Sequence, residues 1–116
     1  MTDTDVAKDN LEASNTDAAA VMFRALSDSS RLLILHHLLR GEHRVGELVE
    51  HLELSQSTVS QHLARLKDAD LVTARPEGRA TVYAVAHRAE LEALLTSAEK
   101  ILESTGQIVE LCPTHS

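Results

Sequence analysis

A chain of 116 residues, 43% of them hydrophobic, builds one modest core and leaves no room for a second folded domain. Phe23 and Tyr83 are its only Phe, Tyr or Trp residues, so the core must come from Leu, Val, Ile and Ala, a composition that favours helices. The net charge of −7 excludes a surface that is basic throughout, and the single cysteine, Cys112, excludes an internal disulfide.

Residues 1–15 carry few apolar side chains and many acids (Asp3, Asp5, Asp9, Glu12), and read as a disordered acidic leader. They lack the basic start and apolar stretch of a signal peptide, and the longest uninterrupted apolar run, Leu32 to Leu35, is far too short to cross a membrane. The chain reads as cytoplasmic. Residues 16–106 are expected to form the folded domain, and residues 107–116 a C-terminal tail.

A first helix is expected from Thr16 through AAAVMFRAL, ending at Ser27-Asp28-Ser29, where hydroxyls and a carboxylate can cap the next helix. That second helix, SRLLILHHLLR, should close at Gly41. A third begins near Arg44 and sets Val45, Leu48, Val49 and Leu52 on one stripe. Ser55-Gln56 is too short for a free loop and suits a tight turn whose serine caps a fourth helix from Ser57.

In that fourth helix Val59, Leu63 and Leu66 lie on one face, while Ser57, Gln61 and Ala64 lie opposite, flanked by Thr58, Ser60 and Arg65. The second face is small, polar and mostly uncharged. Side chains of this kind donate and accept toward base edges in a major groove and let the backbone approach closely. Between Ser55 and Arg88 five cations meet three acids, a net +2 that leaves −9 elsewhere, so any DNA contact is confined to this middle stretch.

LVTAR and ATVYAV, joined by Pro76-Glu77-Gly78-Arg79, form a hairpin that places Arg75 and Arg79 near its tip, where they can meet phosphates. The last helix, from about Arg88 to Thr105, aligns Leu91, Leu94, Leu95, Ala98, Ile101 and Leu102 and stops at Gly106. So apolar a helix at the end of a small domain needs a cover, which predicts a homodimer interface built from Leu91, Leu94, Ala98 and Ile101 with Val21 and Met22 of the first helix.

ALSDSSRLLILHHL, VGELVEHLELSQSTVSQHLARLKDADLV and RPEGRATVYAV together resemble the winged helix-turn-helix of the ArsR/SmtB family of bacterial repressors over about Met22 to Leu102. The fold this implies is mainly α with a small β-hairpin: five helices and a two-stranded wing, homodimeric. The resemblance further implies that the fourth helix enters the major groove of double-stranded operator DNA and that an effector releases it. The candidate DNA-binding residues are Ser55, Gln56, Ser57, Thr58, Ser60, Gln61, His62, Arg65, Arg75 and Arg79. His62 lies beside the apolar stripe, so a half-buried histidine and a DNA contact are both open for it.

Many members of that family sense metal through thiolates near the start of the third helix. Here residues 42–47 read Glu-His-Arg-Val-Gly-Glu and offer no thiolate. In the last helix Lys100 occupies a place where relatives carry a ligand. Cys112 and His115 in the tail have a spacing common among zinc ligands and, with His87 and Glu103 of a partner, could hold a divalent transition ion such as zinc, nickel, cobalt or cadmium. A disordered tail with one idle cysteine is the plainer alternative. No Gly-rich phosphate loop, Gly-x-Ser-x-Gly motif or cysteine pair indicates an enzyme. Two further readings are a dimeric helical interaction module without DNA binding and a thiol-based oxidant sensor acting through Cys112.

Overall fold

Ser27-Asp28 divides one long helical stretch into two, because Asp28 leaves helical geometry and turns its carboxylate back onto the Arg31 amide at 3.0 Å. In the computed structural model, which describes residues 3–113 and their side chains from residue 14 onward, this junction separates α1 (Asp3–Leu26) from α2 (Ser29–Leu38). There follow β1 (His43–Arg44), α3 (Val45–Leu52), α4 (Gln56–Asp68), β2 (Val72–Glu77), β3 (Ala80–Val85) and α5 (Arg88–Ser104).

Three expectations need correction here. The first helix starts at Asp3, so the stretch read as a disordered leader is helical over most of its length. Acids close to a helix start suit the positive end of its dipole, which composition counting overlooks. Next, the expected two-stranded hairpin of β2 and β3 is extended by a short third strand into an antiparallel sheet of order β1-β3-β2. Two residues, His43 and Arg44, pair with Tyr83 and Val82, and so short a strand leaves no periodic signal. Finally, residues 107–113 do not trail free of the domain, as the position of Cys112 shows below.

The core collects Ile34, Leu35, Leu38 and Leu39 from the end of α2, Leu48 from α3, and Val59, Leu63 and Leu66 from α4. Leu91 and Leu95 of α5 join them. Burying each such side chain contributes about 1.5–3 kcal/mol, and their convergence on α2 makes that helix the central support of α3 and α4.

Two helix ends set the geometry that follows. At the end of α4, Asp70 adopts φ +59°, and the amides of Asp70 and Leu71 bond to the carbonyls of Lys67 and Leu66 at 2.9 Å each. This is a Schellman turn with an aspartate in the place usually taken by glycine, and buried Leu71 and Leu66 form its hydrophobic contact. It sends the chain straight into β2. At the end of α5 the same pattern recurs with Gly106 at φ +91°, at the stop expected from sequence, and it turns the tail back along the helix. Gly41, by contrast, has no positive φ; α2 ends at Leu38 with Leu39 as its cap.

Candidate nucleic-acid interface

α4 is fixed by its buried stripe. Val59, Leu63 and Leu66 are fully buried, so the rest of the circumference faces outward, and Gln56, Ser57, Ser60, Gln61, Ala64 and Arg65 are all exposed. Ser55 is the N-cap: its Oγ accepts the Thr58 amide at 3.1 Å and donates to Thr58 Oγ1 at 2.9 Å. Ser55 and Thr58 therefore hold the helix start, and Gln56, Ser57, Ser60 and Gln61 are the side chains left to address a ligand. α3 ends at Glu53, whose φ of +55° turns the chain within two residues into the Ser55 cap.

His62 resolves toward the inward alternative. Its Nδ1 is 3.3 Å from Nη1 of Arg31, and its Nε2 is 3.8 Å from Asp28. A guanidinium only donates, so Nδ1 accepts and the ring proton sits on Nε2, facing the Asp28 carboxylate. Arg31 also donates through Nε to the Ala25 carbonyl at 2.7 Å and through Nη2 to the Arg24 carbonyl at 2.9 Å. One guanidinium thus ties the last carbonyls of α1 to the middle of α4, a role for Arg31 that no sequence motif announces. The hydrogen bond from the Arg31 amide is the largest influence on the Asp28 carboxyl and holds it below its ordinary range; burial, next in size, opposes it, and nearby positive charge and the Ser30 amide add smaller lowering effects.

The wing is tighter than the sequence implied. β2 runs to Glu77 and β3 starts at Ala80, leaving Gly78-Arg79 as a two-residue turn with Gly78 at φ +64°. Pro76 is tolerated because β2 is an edge strand. Arg79 stands exposed at the tip and, like Arg65 and Lys67 of α4, makes no ion pair with any described residue. Arg75 differs. It bonds to Glu42 at 2.5 Å and lies 3.4 Å from Glu77, while Arg44 bonds to Glu77 at 2.6 Å. Arg44 and Arg75 flank Val82 on neighbouring strands, which brings both within reach of Glu77. The Arg44 hydrogen bond and charge hold the Glu77 carboxyl below the ordinary carboxylate range. Solvent screens ion pairs this exposed, so a phosphate can take over either arginine at little cost.

Between the start of α4 and the wing lies an open cleft of about 620 Å³, lined among others by Arg44, Gln56, Ser60, Arg79 and Thr81. Its lining combines the uncharged Gln56, Ser60 and Thr81 and the cationic Arg44 and Arg79 with the acids Glu47 and Glu50 of α3. Arg44 is the residue sequence reading missed here, and its proximity to the wing follows from the unpredicted strand β1.

The apolar surface expected to pair two copies is partly there. Val21 (48% exposed) and Ile101 (66%) stand out into solvent, and Met22, Leu94 and Ala98 are half-buried. Leu91 is a correction: it is buried in its own domain, because the stripe of α5 shares its first residues with the core. Phe23 (53% exposed), absent from the expected set, is a further exposed apolar side chain of α1. Met22, Leu71, Leu91 and Leu94 line a groove of about 250 Å³ between α1 and α5.

The expected metal ligands are not brought together within the chain. His87 precedes α5 and Glu103 lies in its last turn, about 24 Å apart along the axis. Cys112 is 1% exposed and belongs to the core; His115 lies outside the described residues. The tail is held by the carboxylate of Glu99, whose Oε2 accepts the amides of both Leu111 and Cys112, and by a contact of His36 Nδ1 with the Leu111 carbonyl at 3.2 Å. Two backbone donors and a buried side chain hold residues 111–112 against the domain, in contrast to the alternative of an idle tail. Among the described residues no three His, Cys, Asp or Glu side chains are arranged to hold a metal ion. No described helix is long and apolar enough to cross a membrane.

Two helices meeting at a capped turn, the second showing an uncharged polar face beside a hairpin tipped with arginine, define a winged helix-turn-helix DNA-binding domain. Residues 28–74 match the family described as bacterial regulatory protein, arsR family. The chain is 43% identical over 81 residues to the transcriptional activator HlyU of Vibrio cholerae, covering 70% of this chain and 74% of that protein. It is 46% identical over 69 residues to a probable mercury resistance operon repressor of Streptomyces lividans, covering 60% of this chain and 55% of the relative. The homodimeric winged helix-turn-helix domain of a possible ArsR-family regulator from Mycobacterium bovis, solved in solution, superposes with a TM-score of 0.72 at 30% identity, covering 85% of this chain and 93% of that one. The chain belongs to the arsR family of bacterial regulatory proteins, which are DNA-binding regulators of transcription and not enzymes.

Proposed function

We propose that this protein is a homodimeric repressor that binds double-stranded operator DNA through α4 and the wing and is released by an effector. The observation that carries the reading is the exposed, uncharged face of α4 (Gln56, Ser57, Ser60, Gln61), held rigidly by the buried stripe opposite and flanked by unpaired Arg65 and Arg79. Bases are read by the first set and phosphates by the second. Arg44 and Arg75 join the phosphate set once DNA displaces their carboxylate partners. The exposed apolar side chains Val21 and Phe23 of α1 and Ile101 of α5, with the groove that Met22, Leu91 and Leu94 line, support pairing of two copies, which puts two reading helices on one duplex.

Repression, in the cytoplasm where the operator lies, is favoured by the mercury resistance relative, which is named a probable repressor. A divalent transition ion is the effector class this suggests. His87, Glu103, Cys112 and His115 could serve it only across a dimer and only after the tail opens, because Cys112 is sealed in the core. The same burial means that an oxidant reaches the thiol only in an opened tail.

A band-shift titration with the DNA upstream of its own coding sequence, against scrambled DNA of equal length, tests the proposal. Preferential retardation of the upstream fragment is expected. Equal and weak retardation of both would favour an interaction module of the same fold.

A further inference from the structure

Three elements that build the helix-turn-helix and its wing bring four imidazoles together, a cluster the DNA-binding surface does not use. His37 of α2 stacks on His51 of α3 with ring centres 5.3 Å apart and planes 13° from parallel. His43 of β1 meets both edge-on, at 6.3 Å from His37 and 5.9 Å from His51, and His36 lies 6.1 Å from His37. His43 Nδ1 is further held 2.7 Å from the Gly41 carbonyl.

From this juxtaposition we infer that the cluster is an acid-sensitive switch, which loosens the corner joining α2, β1 and α3 when more than one of its rings is protonated.

No counter-charge acts on His37, the ring at the centre of the cluster, although Glu110 of the tail lines the surface beside His36. The groups acting on His37 are burial, then His51, His36, His43 and Arg40, and every one of them opposes protonation. The negative end of α2, which would ordinarily welcome a cation, is already taken by Arg88 of α5, whose guanidinium donates to the Leu39 carbonyl at 2.8 Å and to that of Leu38 at 3.5 Å. Nearby carboxylates are committed elsewhere: Glu42 bonds to Arg75, and Glu47 accepts the Arg44 amide at 2.9 Å. From β3, Tyr83 pairs with His43 in register and brings no charge of opposite sign at neutral pH.

The sign follows from linkage. A histidine held below its ordinary value of 6.5 binds fewer protons folded than unfolded, so its contribution to stability is complete above pH 6.5 and is lost as pH falls through and below that value. The strain falls on β1, which is only two residues long and ties the wing to the start of α3. That acid should also weaken DNA binding rests on the proposed function; the loss of stability does not.

The test compares the wild-type chain with His37→Gln/His51→Gln and with His51→Gln alone, all in chelator, by urea unfolding at pH 7.5 and 5.5 and by the ring-proton NMR signals of the wild type. Between the two pH values the folded-to-unfolded ratio of the wild type should fall further than that of the double variant. The His37 ring should titrate below 6.5. Because His51 is exposed, its single variant folds and should recover part of the difference. Equal pH dependence in wild type and variants, or a His37 ring titrating at or above 6.5, overturns the proposal. A fragment-binding assay at both pH values separates the readings: acid-sensitive stability in the wild type, relieved in the double variant, with no DNA binding at any pH would contradict only the proposed function.

Discussion

Arg31 Nη1 stands 3.3 Å from His62 Nδ1, and the same guanidinium holds the carbonyls that end α1. The helix that carries the exposed dimer patch is thereby connected through one side chain to the helix that reads DNA. Arg31→Ala should lower stability by about 1–3 kcal/mol, since it strands the α1 carbonyls and the His62 ring. It should also reduce the preference for the upstream fragment over scrambled DNA more than it reduces binding to scrambled DNA. His62→Gln, which keeps an acceptor near Arg31, should be milder in both measurements.

Asp28 caps α2 and carries the lowered carboxyl described above. Its stabilising bond is complete above the ordinary carboxylate value of 3.8 and is lost as pH falls through its lower folded value. Asp28→Ala should cost about 1 kcal/mol at pH 7. Urea midpoints of wild type and variant should draw together when the comparison is repeated near pH 3.

Among the described residues, Glu99 of α5 holds the tail by accepting the backbone amides of Leu111 and Cys112. Glu99→Ala leaves both donors without that acceptor, so the tail should open. The Cys112 thiol, buried in the native chain, should then react with a maleimide at least tenfold faster than in the wild type, whereas Glu99→Gln, retaining one acceptor oxygen, should fall between.

Ile101 protrudes from α5 and adds little to the fold of one chain. Ile101→Glu should leave the unfolding midpoint nearly unchanged while shifting sedimentation from dimer to monomer, with loss of operator binding because each molecule then carries one reading helix. A wild-type chain that sediments as a monomer at micromolar concentration would remove the basis for this expectation.

The helices and the outward face of α4 were legible because their apolar residues recur at helical spacing: Val59, Leu63 and Leu66 are buried as the pattern predicts, and Ser55 caps as its position predicts. What escaped lacks periodicity. β1 has two residues and is defined by its partner β3, so Arg44 was not seen beside the wing. Arg75 was assigned to phosphate from its place in the hairpin, but its carboxylate partner Glu42 lies 33 residues away in sequence. His62 and Arg31 meet over a gap of 31 residues, and Glu99 meets Cys112 over 13. Local spacing records which face a residue takes; it carries nothing about which distant group will satisfy a buried donor.

The division of labour between α4 and the wing is tested most directly by fluorescence anisotropy of the upstream fragment and a scrambled fragment, at two salt concentrations, with wild type, Gln61→Ala and Arg79→Ala. Gln61→Ala should cost about 1–3 kcal/mol on the upstream fragment alone, since base-edge contacts discriminate. Arg79→Ala should weaken both fragments alike and lower the salt dependence by about one unit of slope, the signature of a lost phosphate contact. Unchanged affinity for the upstream fragment in both variants would contradict the assignment of this surface to DNA.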